Sequence, residues 1–408
     1  MSSSEFIIIG GGMVAGYAAK ELATRGLKSG QLTIISSDTA LPYERPPLSK
    51  GFLLGKETEA SILINSSDFY REQGIDVRLQ TSVNTIDLSK HRVVTSANDE
   101  LSYEKLLLAT GARPRTLDVP GAKLDGVFYL RSMDDSRAIR ERAEKSKQAV
   151  VIGSGFIGME VASVLAQKNI RTTMIIREDR VWRRVFTPEM SAFFERYYSD
   201  RGVQLMKSGS LASIEGKHSV ASAVLKDGRE LPFDMVVAGV GAVPVTELAA
   251  KSGLQIENGV VVNEYLETSA AAVSAAGDIA NYFDSLFQKR RRVEHWDNAV
   301  SQGQHWARVV TGDRRPFVHV PYFFSDIFDL SYELWGDSDG ATENVVRGDM
   351  QSAKFSVWWL KDDRLIAAFV MNRPDEERQL APQWIEAKKK VSPKVLADSA
   401  KPLQDALR

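Results

Sequence analysis

Residues 5–16 read EFIIIGGGMVAG, an apolar run followed by three glycines and the start of a helical pattern. A short apolar run that stops at glycine is typical of a buried parallel strand. Gly10 and Gly12 occupy the first two positions of the pattern G-x-G-x-x-G/A, and Ala15 occupies the third. In this pattern the first glycine permits a sharp turn, the second lets the backbone approach a pyrophosphate, and the third lets the helix pack closely on the strand. The stretch therefore favours a nucleotide site at a helix N-terminus over a plain tight turn.

The same pattern recurs 143 positions later. Residues 149–160 read AVVIGSGFIGME, with Gly153, Gly155 and Gly158 at the three motif positions. Glu178 lies 20 positions past Gly158, after a further apolar run, where an acid is expected to accept both ribose hydroxyls of NAD. A surface residue in a charged loop is the alternative for Glu178. Two such units predict two dinucleotides on one chain, and their purpose would be to pass a hydride or electrons between them.

An acid also follows the second predicted strand, at residues 31–36. Asp38 lies 26 positions after Gly12, somewhat beyond the roughly 20 expected of a ribose-binding acid. The longer loop at residues 26–30 accounts for the excess. An ordinary turn aspartate is the alternative, and the ribose role is slightly favoured.

Residues 42–50, PYERPPLSK, form an unusual connector. Proline fixes φ, so the double proline can hold Arg45 and Lys50 at defined places near a phosphate- or flavin-sized ligand. A solvated basic loop is the alternative. Further along, Asp278 follows a strand-ending glycine and can face the ribityl chain of a ligand, with a helix N-cap as the alternative.

The composition is that of a globular protein without a general field for nucleic acid or membranes. The chain has 408 residues, of which 43% are hydrophobic and 26% charged, and its net charge is −1. This length predicts two or three domains. The absence of cysteine excludes disulfides, thiolate metal sites and a dithiol relay, and no metal site is predicted. With no charged leader or long apolar run, the expectation is a cytoplasmic protein with no membrane insertion and no nucleic-acid partner.

The C-terminal part differs in character. Aromatic residues cluster at 322–335 and 355–360, which predicts an antiparallel sheet, and residues 376–408 have a polar, helical pattern. The basic run at residues 289–292 is typical of a solvated face.

Together these stretches resemble the FAD-dependent pyridine nucleotide reductases of the ferredoxin/rubredoxin reductase type, with the related apoptosis-inducing-factor and monodehydroascorbate reductase branches. The most specific pieces are residues 42–50, 109–111, 153–160, 276–278 and 291–299. The resemblance implies an α/β protein with a glutathione-reductase-like fold, in which two Rossmann-like dinucleotide-binding domains precede an α+β domain that caps the flavin. The implied boundaries are 1–113 with 243–318 for FAD, 114–242 for NAD(P)H and 319–408 for the cap.

The resemblance also implies which residues bind each cofactor. Those expected to bind FAD are Gly10, Gly12, Ala15, Asp38, Arg45, Lys50, Val83, Thr110, Gly111, Arg131, Asp278, Glu294, His295 and Trp296. Those expected to bind NAD are Gly153, Gly155, Ile157, Gly158, Glu178, Arg184 and Gly241.

Catalytic roles would fall to Lys50, Glu160 and Trp296. The resemblance implies a Lys50–Glu160 pair near the flavin N5, where a cation would stabilise negative charge on the reduced flavin and the carboxylate would hold the lysine in place. Trp296 would lie near the isoalloxazine. A plain helix residue is the alternative for Glu160.

The predicted reaction takes hydride from NADH to FAD and passes electrons one at a time to an iron–sulfur carrier such as a ferredoxin or rubredoxin. NADPH is less favoured, because Glu178 would repel its 2′-phosphate, although Arg177, Arg180 and Arg184 would blunt the preference. One alternative is a reductase of a small molecule, the monodehydroascorbate radical or a quinone. Another is a redox-sensing flavoprotein in the manner of apoptosis-inducing factor.

Two departures from the monodehydroascorbate branch favour the carrier. Val300 stands where that branch has a substrate-binding arginine, and Phe324 stands where it has a tyrosine. Residues 289–292, with Arg183 and Arg184, are expected to offer a docking face to an acidic iron–sulfur protein.

Overall fold

The computed structural model describes residues 2–408, and Met1, where the predicted FAD domain begins, lies outside the described residues. The chain divides into two compact units, each assembled from three separate segments. The first unit holds the segments that end at Arg45, Arg113 and Pro321, and the second unit comprises Pro46–Glu57, Pro114–Ala242 and Tyr322–Arg408. The three-domain boundaries stay a prediction.

The secondary structure alternates strands with helices through most of the chain. The strands are β1 (Ser2–Ile9), β2 (Leu32–Ile35), β3 (Asp76–Arg78), β4 (Val83–Asp87), β5 (Arg92–Thr95), β6 (Glu100–Leu108), β7 (Ala112–Pro114), β8 (Val127–Phe128), β9 (Gln148–Ile152), β10 (Arg171–Ile175), β11 (Gln204–Met206), β12 (Leu211–Gly216), β13 (Val220–Leu225), β14 (Glu230–Pro232), β15 (Met235–Ala238), β16 (Ala242–Pro244), β17 (Val260–Val261), β18 (Val273–Ala275), β19 (Ala280–Asp284), β20 (Lys289–Arg291), β21 (Tyr322–Ile327), β22 (Leu330–Gly336), β23 (Glu343–Asp349), β24 (Lys354–Lys361) and β25 (Arg364–Met371). The helices are α1 (Met13–Thr24), α2 (Gly51–Leu54), α3 (Ser67–Glu72), α4 (Met133–Ala143), α5 (Phe156–Gln167), α6 (Pro188–Ser199), α7 (Glu247–Lys251), α8 (Trp296–Val310), α9 (Asp375–Glu386) and α10 (Pro393–Ala397).

The first unit is built on a sheet in the order β3-β2-β1-β6-β5-β4, with β18 also paired to β6. Strands β1, β2, β3, β6 and β18 run parallel. The apolar run of β1 is explained by burial on both faces, since Ile7 and Ile8 have no exposed surface. Helix α1 packs against α8 through its alanine-rich face. The Gly10 turn therefore opens at the carboxyl edge of a parallel sheet.

The middle segment of the second unit repeats this plan. Its parallel sheet has the order β11-β10-β9-β15-β8, and α5 follows β9 directly. A small antiparallel sheet, β12-β13-β14, accompanies it. The Gly153 turn joins β9 to α5 at the same edge of its sheet as the Gly10 turn does in the first unit.

The C-terminal part of the second unit is an antiparallel sheet in the order β21-β22-β25-β24-β23. This confirms the α/β fold class with a C-terminal sheet domain. Most of its aromatic residues are buried, and Tyr332 and Phe369 pack against the rings of Trp182, Phe186 and Phe194. The segment around Trp182 is thus part of an aromatic core.

Among residues 2–408, no helix combines the length and the apolar character that crossing a bilayer requires.

Candidate functional site

The Gly10 turn has the geometry of a phosphate cradle. Gly10 has φ +116°, and a Cβ there would lie 2.2 Å from the carbonyl oxygen of Ala109. Gly12 caps α1 without a side-chain hydrogen bond, so the first N–H groups of the helix are not satisfied by a capping side chain. A Cβ on Gly12 would come within 4 Å of only one described atom, a guanidinium nitrogen of Arg45 at 3.9 Å. Open N–H groups beside an arginine fit the phosphates of a dinucleotide such as FAD.

Asp38 organises the loop that follows β2. Its Oδ1 accepts the backbone N–H of Thr39 at 2.8 Å and of Ala40 at 3.3 Å, and its Oδ2 accepts the Tyr43 hydroxyl at 3.0 Å. The Arg45 guanidinium in turn lies 4.8 Å from the centre of the Tyr43 ring. A carboxylate has about four lone-pair sites, and Oδ2 accepts one bond here, so the loop contacts are compatible with the predicted ribose role of Asp38.

Trp296, at the start of α8, is held by a carboxylate that sequence reasoning missed. The indole Nε1–H donates to Glu44 at 2.5 Å, and the Tyr17 hydroxyl donates to the other oxygen of the same carboxylate at 2.5 Å. Burial, followed by the Glu44 hydrogen bond, raises the pKa of Tyr17. Glu44 thus fixes the orientation of the indole, and an acid in the middle of PYERPPLSK was the only sequence signal for it.

The remaining residues predicted for FAD in the first unit are distributed around its sheet. Thr110 Oγ1 donates to the Val245 carbonyl at 2.7 Å, and Gly111 beside it has φ +67°. Asp278 lies in the turn after β18, and His295 caps α8. Val83 begins β4, the last strand in the sheet order.

The basic run at residues 289–292 binds groups of its own unit. The Arg291 side chain is 11% exposed and pairs with Asp284, whose side chain is 3% exposed. The Arg292 side chain is 10% exposed, donates to the Asp278 carbonyl at 3.0 Å and pairs with Glu294, another residue predicted for FAD. This corrects the expectation of a solvated docking face at these two arginines, because their charges are already matched internally.

The Gly153 turn has the same cradle in the second unit. Gly153 has φ +106°, and a Cβ there would lie 2.3 Å from the carbonyl oxygen of Gly239. Gly155 caps α5 without a side-chain hydrogen bond, and a Cβ on it would meet no described atom within 4 Å. A Cβ on Gly158 would lie 2.3 Å from the Gly153 carbonyl. Ile157 is 41% exposed. The turn fits the phosphates of a second dinucleotide.

The arginines near Glu178, in the loop after β10, differ in exposure and in hydrogen bonding. Glu178 is half-buried, and its carbonyl accepts the Ser208 N–H at 2.9 Å. The Arg180 guanidinium donates to the Phe186 carbonyl at 2.6 Å and the Ser191 hydroxyl at 2.7 Å, so it is committed to the loop itself. Arg177 and Arg184 are exposed. This corrects the expectation that Arg180 would attract a 2′-phosphate.

The other residues predicted for cofactor binding in the second unit lie at turns. The Arg131 backbone N–H donates to Asp135, which forms a capping box with Ser132 at the start of α4. Gly241 has φ +105°, and a Cβ there would meet no described atom within 4 Å.

The structure brings Lys50 and Glu160 together. The Lys50 ammonium lies 2.7 Å from Glu160 Oε1, and the two side chains are 15% and 4% exposed. The same carboxylate accepts the Ser325 hydroxyl at 2.5 Å and also the Ser49 hydroxyl. The Phe324 ring lies below the lysine, with its centre 5.3 Å from Nζ. A buried carboxylate requires such partners, and the role of the pair beside the flavin stays a prediction.

Sequence reasoning missed Ser49 and Ser325 as site residues. Ser49 precedes Lys50 directly, which was a usable signal. Ser325 follows Phe324 in β21, and its only signal was its position beside a departure from the monodehydroascorbate branch.

Comparisons with known proteins cover the whole chain. The family described as pyridine nucleotide-disulphide oxidoreductase matches residues 4–303, and the one described as reductase C-terminal matches residues 322–407. Putidaredoxin reductase of Pseudomonas putida is 33% identical over 100% of this chain and 97% of its own. Monodehydroascorbate reductase of Solanum lycopersicum is 35% identical over 93% of each chain.

Solved structures agree with these relatives. A chain of the covalent putidaredoxin reductase–putidaredoxin complex superimposes with a TM-score of 0.94 at 33% identity, and the match covers 100% of this chain and 98% of that one. A ferredoxin reductase from Rhodopseudomonas palustris gives a TM-score of 0.94 at 33% identity, over 99% of this chain and 100% of that one.

Proposed function

Because the chain belongs to the pyridine nucleotide-disulphide oxidoreductase family, we propose that it carries electrons from NADH through FAD to a one-electron carrier such as a ferredoxin or rubredoxin. The family and the full-length relatives make the chain an NAD(P)H-dependent flavoprotein reductase. The predictions of family, fold and enzyme class are confirmed.

Bound FAD would supply hydride acceptance and one-electron release, and the chain would bind and orient the reactants. We assign the pyrophosphate of FAD to the α1 N-terminus at Gly12, with Arg45 beside it. Glu44 would hold the Trp296 indole in one orientation. Lys50, fixed by Glu160, would place positive charge where negative charge develops, which is the most effective kind of electrostatic stabilisation in a water-poor site.

The preference for NADH over NADPH belongs to the proposal. Glu178 follows β10 at the position where an acid accepts both ribose hydroxyls. Arg180 is committed to the carbonyl of Phe186 and the hydroxyl of Ser191, so fewer cations remain to attract a 2′-phosphate than the sequence suggested. We therefore expect NADH to be favoured, with Arg177 and Arg184 limiting the preference.

Two side chains support a protein carrier as the electron acceptor. Val300 is 9% exposed in α8, and Phe324 presents a ring to Lys50. Neither offers a hydrogen bond to an anionic substrate, and a site that lacks such bonds loses up to about 10⁴-fold in discrimination. The absence of hydrogen-bonding groups at positions 300 and 324 is the observation that carries the choice of a protein carrier over the monodehydroascorbate radical.

The test compares kcat/KM for a [2Fe–2S] ferredoxin, a rubredoxin, a quinone and the monodehydroascorbate radical, at low and high salt. Reduction of an iron–sulfur carrier that weakens with salt is the expected result, since steered encounters are screened. Efficient turnover of the monodehydroascorbate radical without carrier activity would favour the second candidate function, a monodehydroascorbate reductase. Several monodehydroascorbate reductases are 34–36% identical to this chain. The cytoplasmic location stays a prediction.

A further inference from the structure

We propose that Ser49 and Ser325 are positioning residues for the Lys50–Glu160 pair, and that their hydroxyls set the rate at which NADH reduces the flavin. The inference rests on the proposed function, because it assigns both hydroxyls to the first half of that reaction. Neither serine was among the residues expected to bind a cofactor or to act in catalysis.

The two serines fix both oxygens of one buried carboxylate. Glu160 Oε1 accepts the Lys50 ammonium at 2.7 Å and the Ser325 hydroxyl at 2.5 Å, while Oε2 accepts the Ser49 hydroxyl. Glu160 is 4% exposed, Ser49 1% and Ser325 0%. Because both carboxylate oxygens have a protein donor, these donors fix the plane of the carboxylate.

A fixed carboxylate plane determines where the lysine ammonium sits. A buried carboxylate with a single cation is poorly compensated, and hydroxyl donors stabilise its charged form. Without them the Glu160 side chain would be free to rotate, and the ammonium that follows it would move as well. The serines would therefore act on the reaction through Lys50.

Strand β21 contributes to both members of the pair through adjacent residues. Ser325 donates to Glu160, and the Phe324 ring lies 5.3 Å from the Lys50 ammonium, within the range of a cation–π contact. The C-terminal sheet thus holds the carboxylate and the ammonium together.

A purely structural role is the competing explanation, because β21 and α5 are also joined nearby. The Phe328 N–H donates to the Ser163 hydroxyl at 2.7 Å, which ties the end of β21 to the same helix. A structural role predicts a loss of stability alone, whereas a positioning role predicts a change in flavin chemistry.

The experiment uses the full-length, FAD-loaded protein with Ser49→Ala, Ser325→Ala and the double substitution. Stopped-flow measurement gives the limiting rate of flavin reduction and the apparent Kd for NADH, and dye equilibration gives the midpoint potential of the bound flavin. We expect each single variant to reduce about tenfold more slowly, the effect of one lost hydrogen bond to a charged group. The Kd should stay within about twofold, and the potential should become more negative because the cation is displaced. Ser325→Thr keeps the hydroxyl, so it should show the wild-type reduction rate and the wild-type midpoint potential.

Ser356→Ala is the matched control. Ser356 lies in β24 of the same sheet, is fully buried and donates to the Glu377 carboxylate at 2.5 Å. This variant loses the same kind of bond as Ser325→Ala and also the bond that Ser356 accepts from the Trp358 indole at 2.9 Å, so it should lower thermal stability at least as much. Only Ser325→Ala should change the reduction rate and the potential.

The inference is overturned if Ser49→Ala and Ser325→Ala behave like Ser356→Ala while Lys50→Met slows reduction. It is also overturned if Lys50→Met itself leaves the rate unchanged. Failure of the proposed function has a different signature, which is no turnover with any iron–sulfur carrier. In that case a slower flavin reduction in the serine variants would still support the positioning role.

Discussion

The turn at Gly10–Ala15 and the turn at Gly153–Gly158 follow one sequence pattern but meet different surroundings. At the first turn, a Cβ added to Gly12 would lie 3.9 Å from the Arg45 guanidinium. At the second turn, a Cβ added to Gly155 would meet no described atom within 4 Å. We interpret the first turn as equipped for a permanently bound cofactor with its own counter-charge. The more open second turn suits a nucleotide that enters and leaves during turnover.

The helices that follow these turns also differ at one equivalent position. Tyr17 in α1 and Glu160 in α5 each lie seven places after the first motif glycine. Tyr17 donates a hydrogen bond to Glu44, whereas Glu160 accepts hydrogen bonds from Ser49, Lys50 and Ser325. The motif therefore determines the turn. The residue seven places after the first glycine, Tyr17 or Glu160, determines which hydrogen bonds each helix makes near the predicted flavin site.

The largest expected effect separates the two turns by ligand. Gly12→Val should give a folded, colourless protein, and Gly155→Val should give a yellow protein that NADH reduces at least about 10²-fold more slowly. Both glycines have ordinary φ values, −88° and −77°, and room for a Cβ, so the loss reports blocked phosphate contacts worth about 1.5–3 kcal/mol each. The ratio of flavin to protein absorbance measures the FAD bound to Gly12→Val, and stopped flow measures the rate at which NADH reduces Gly155→Val. Retention of FAD by Gly12→Val would remove the distinction.

A second test asks whether the contribution of Glu160, made through its pair with Lys50, matters to the flavin. Lys50→Met should retain FAD and slow its reduction by NADH about 10²-fold, the usual cost of losing one group aimed at developing charge. Lys56→Met is the control, since Lys56 is exposed and six residues further on. A reduction rate equal in Lys50→Met and wild type would return Lys50 and Glu160 to a structural role.

A third test sharpens the assignment of the second turn to NADH. Glu178→Ala should narrow the ratio of kcat/KM for NADH over NADPH on the order of tenfold, because one repulsive charge near a 2′-phosphate is removed. Asp179→Ala serves as the control, since that neighbouring acid pairs with Arg183. If the wild-type protein already prefers NADPH, the assignment of Glu178 is wrong.

The smallest expected effect concerns the third motif position. Gly158→Ala should destabilise the protein by about 1–3 kcal/mol, because its Cβ would lie 2.3 Å from the Gly153 carbonyl. Ala15→Gly should cost only about 0.5–1 kcal/mol, the usual penalty of glycine in a helix. Urea unfolding of the two variants measures both, and equal costs would mean that the two helices approach their strands equally closely.

Local patterns explain how much of this was predictable. Each strand–turn–helix unit lies within a short stretch, so the glycine spacing alone indicated both turns. The Lys50–Glu160 pair joins residues 110 positions apart and was available only through family resemblance. Glu44 with Trp296 and Glu160 with Ser325 are 252 and 165 positions apart, and no local signal identifies such contacts.

The wrong expectations share a different cause. Arg180 and Arg292 lie close in sequence to predicted ligand-binding residues, and proximity suggested that they face a ligand or a partner. In the structure the Arg180 guanidinium donates to a carbonyl of its own loop, and the Arg292 guanidinium donates to the Asp278 carbonyl in the turn after β18. Charge counts along a sequence cannot distinguish an arginine that faces outward from one that satisfies backbone acceptors.

The discontinuity of both units has a consequence for biosynthesis. The second unit begins at Pro46. However, Ser325 and the sheet residues that pack on Trp182, such as Tyr332, belong to the segment that starts at Tyr322. During synthesis, the aromatic surface formed by Trp182, Phe186 and Phe194 therefore stays uncovered until the C-terminal sheet has been made. Closing such long loops is slow, and exposed apolar surface promotes aggregation. We expect nascent chains to need chaperone protection until the last strands emerge, and a protein ended at Pro321 to be insoluble.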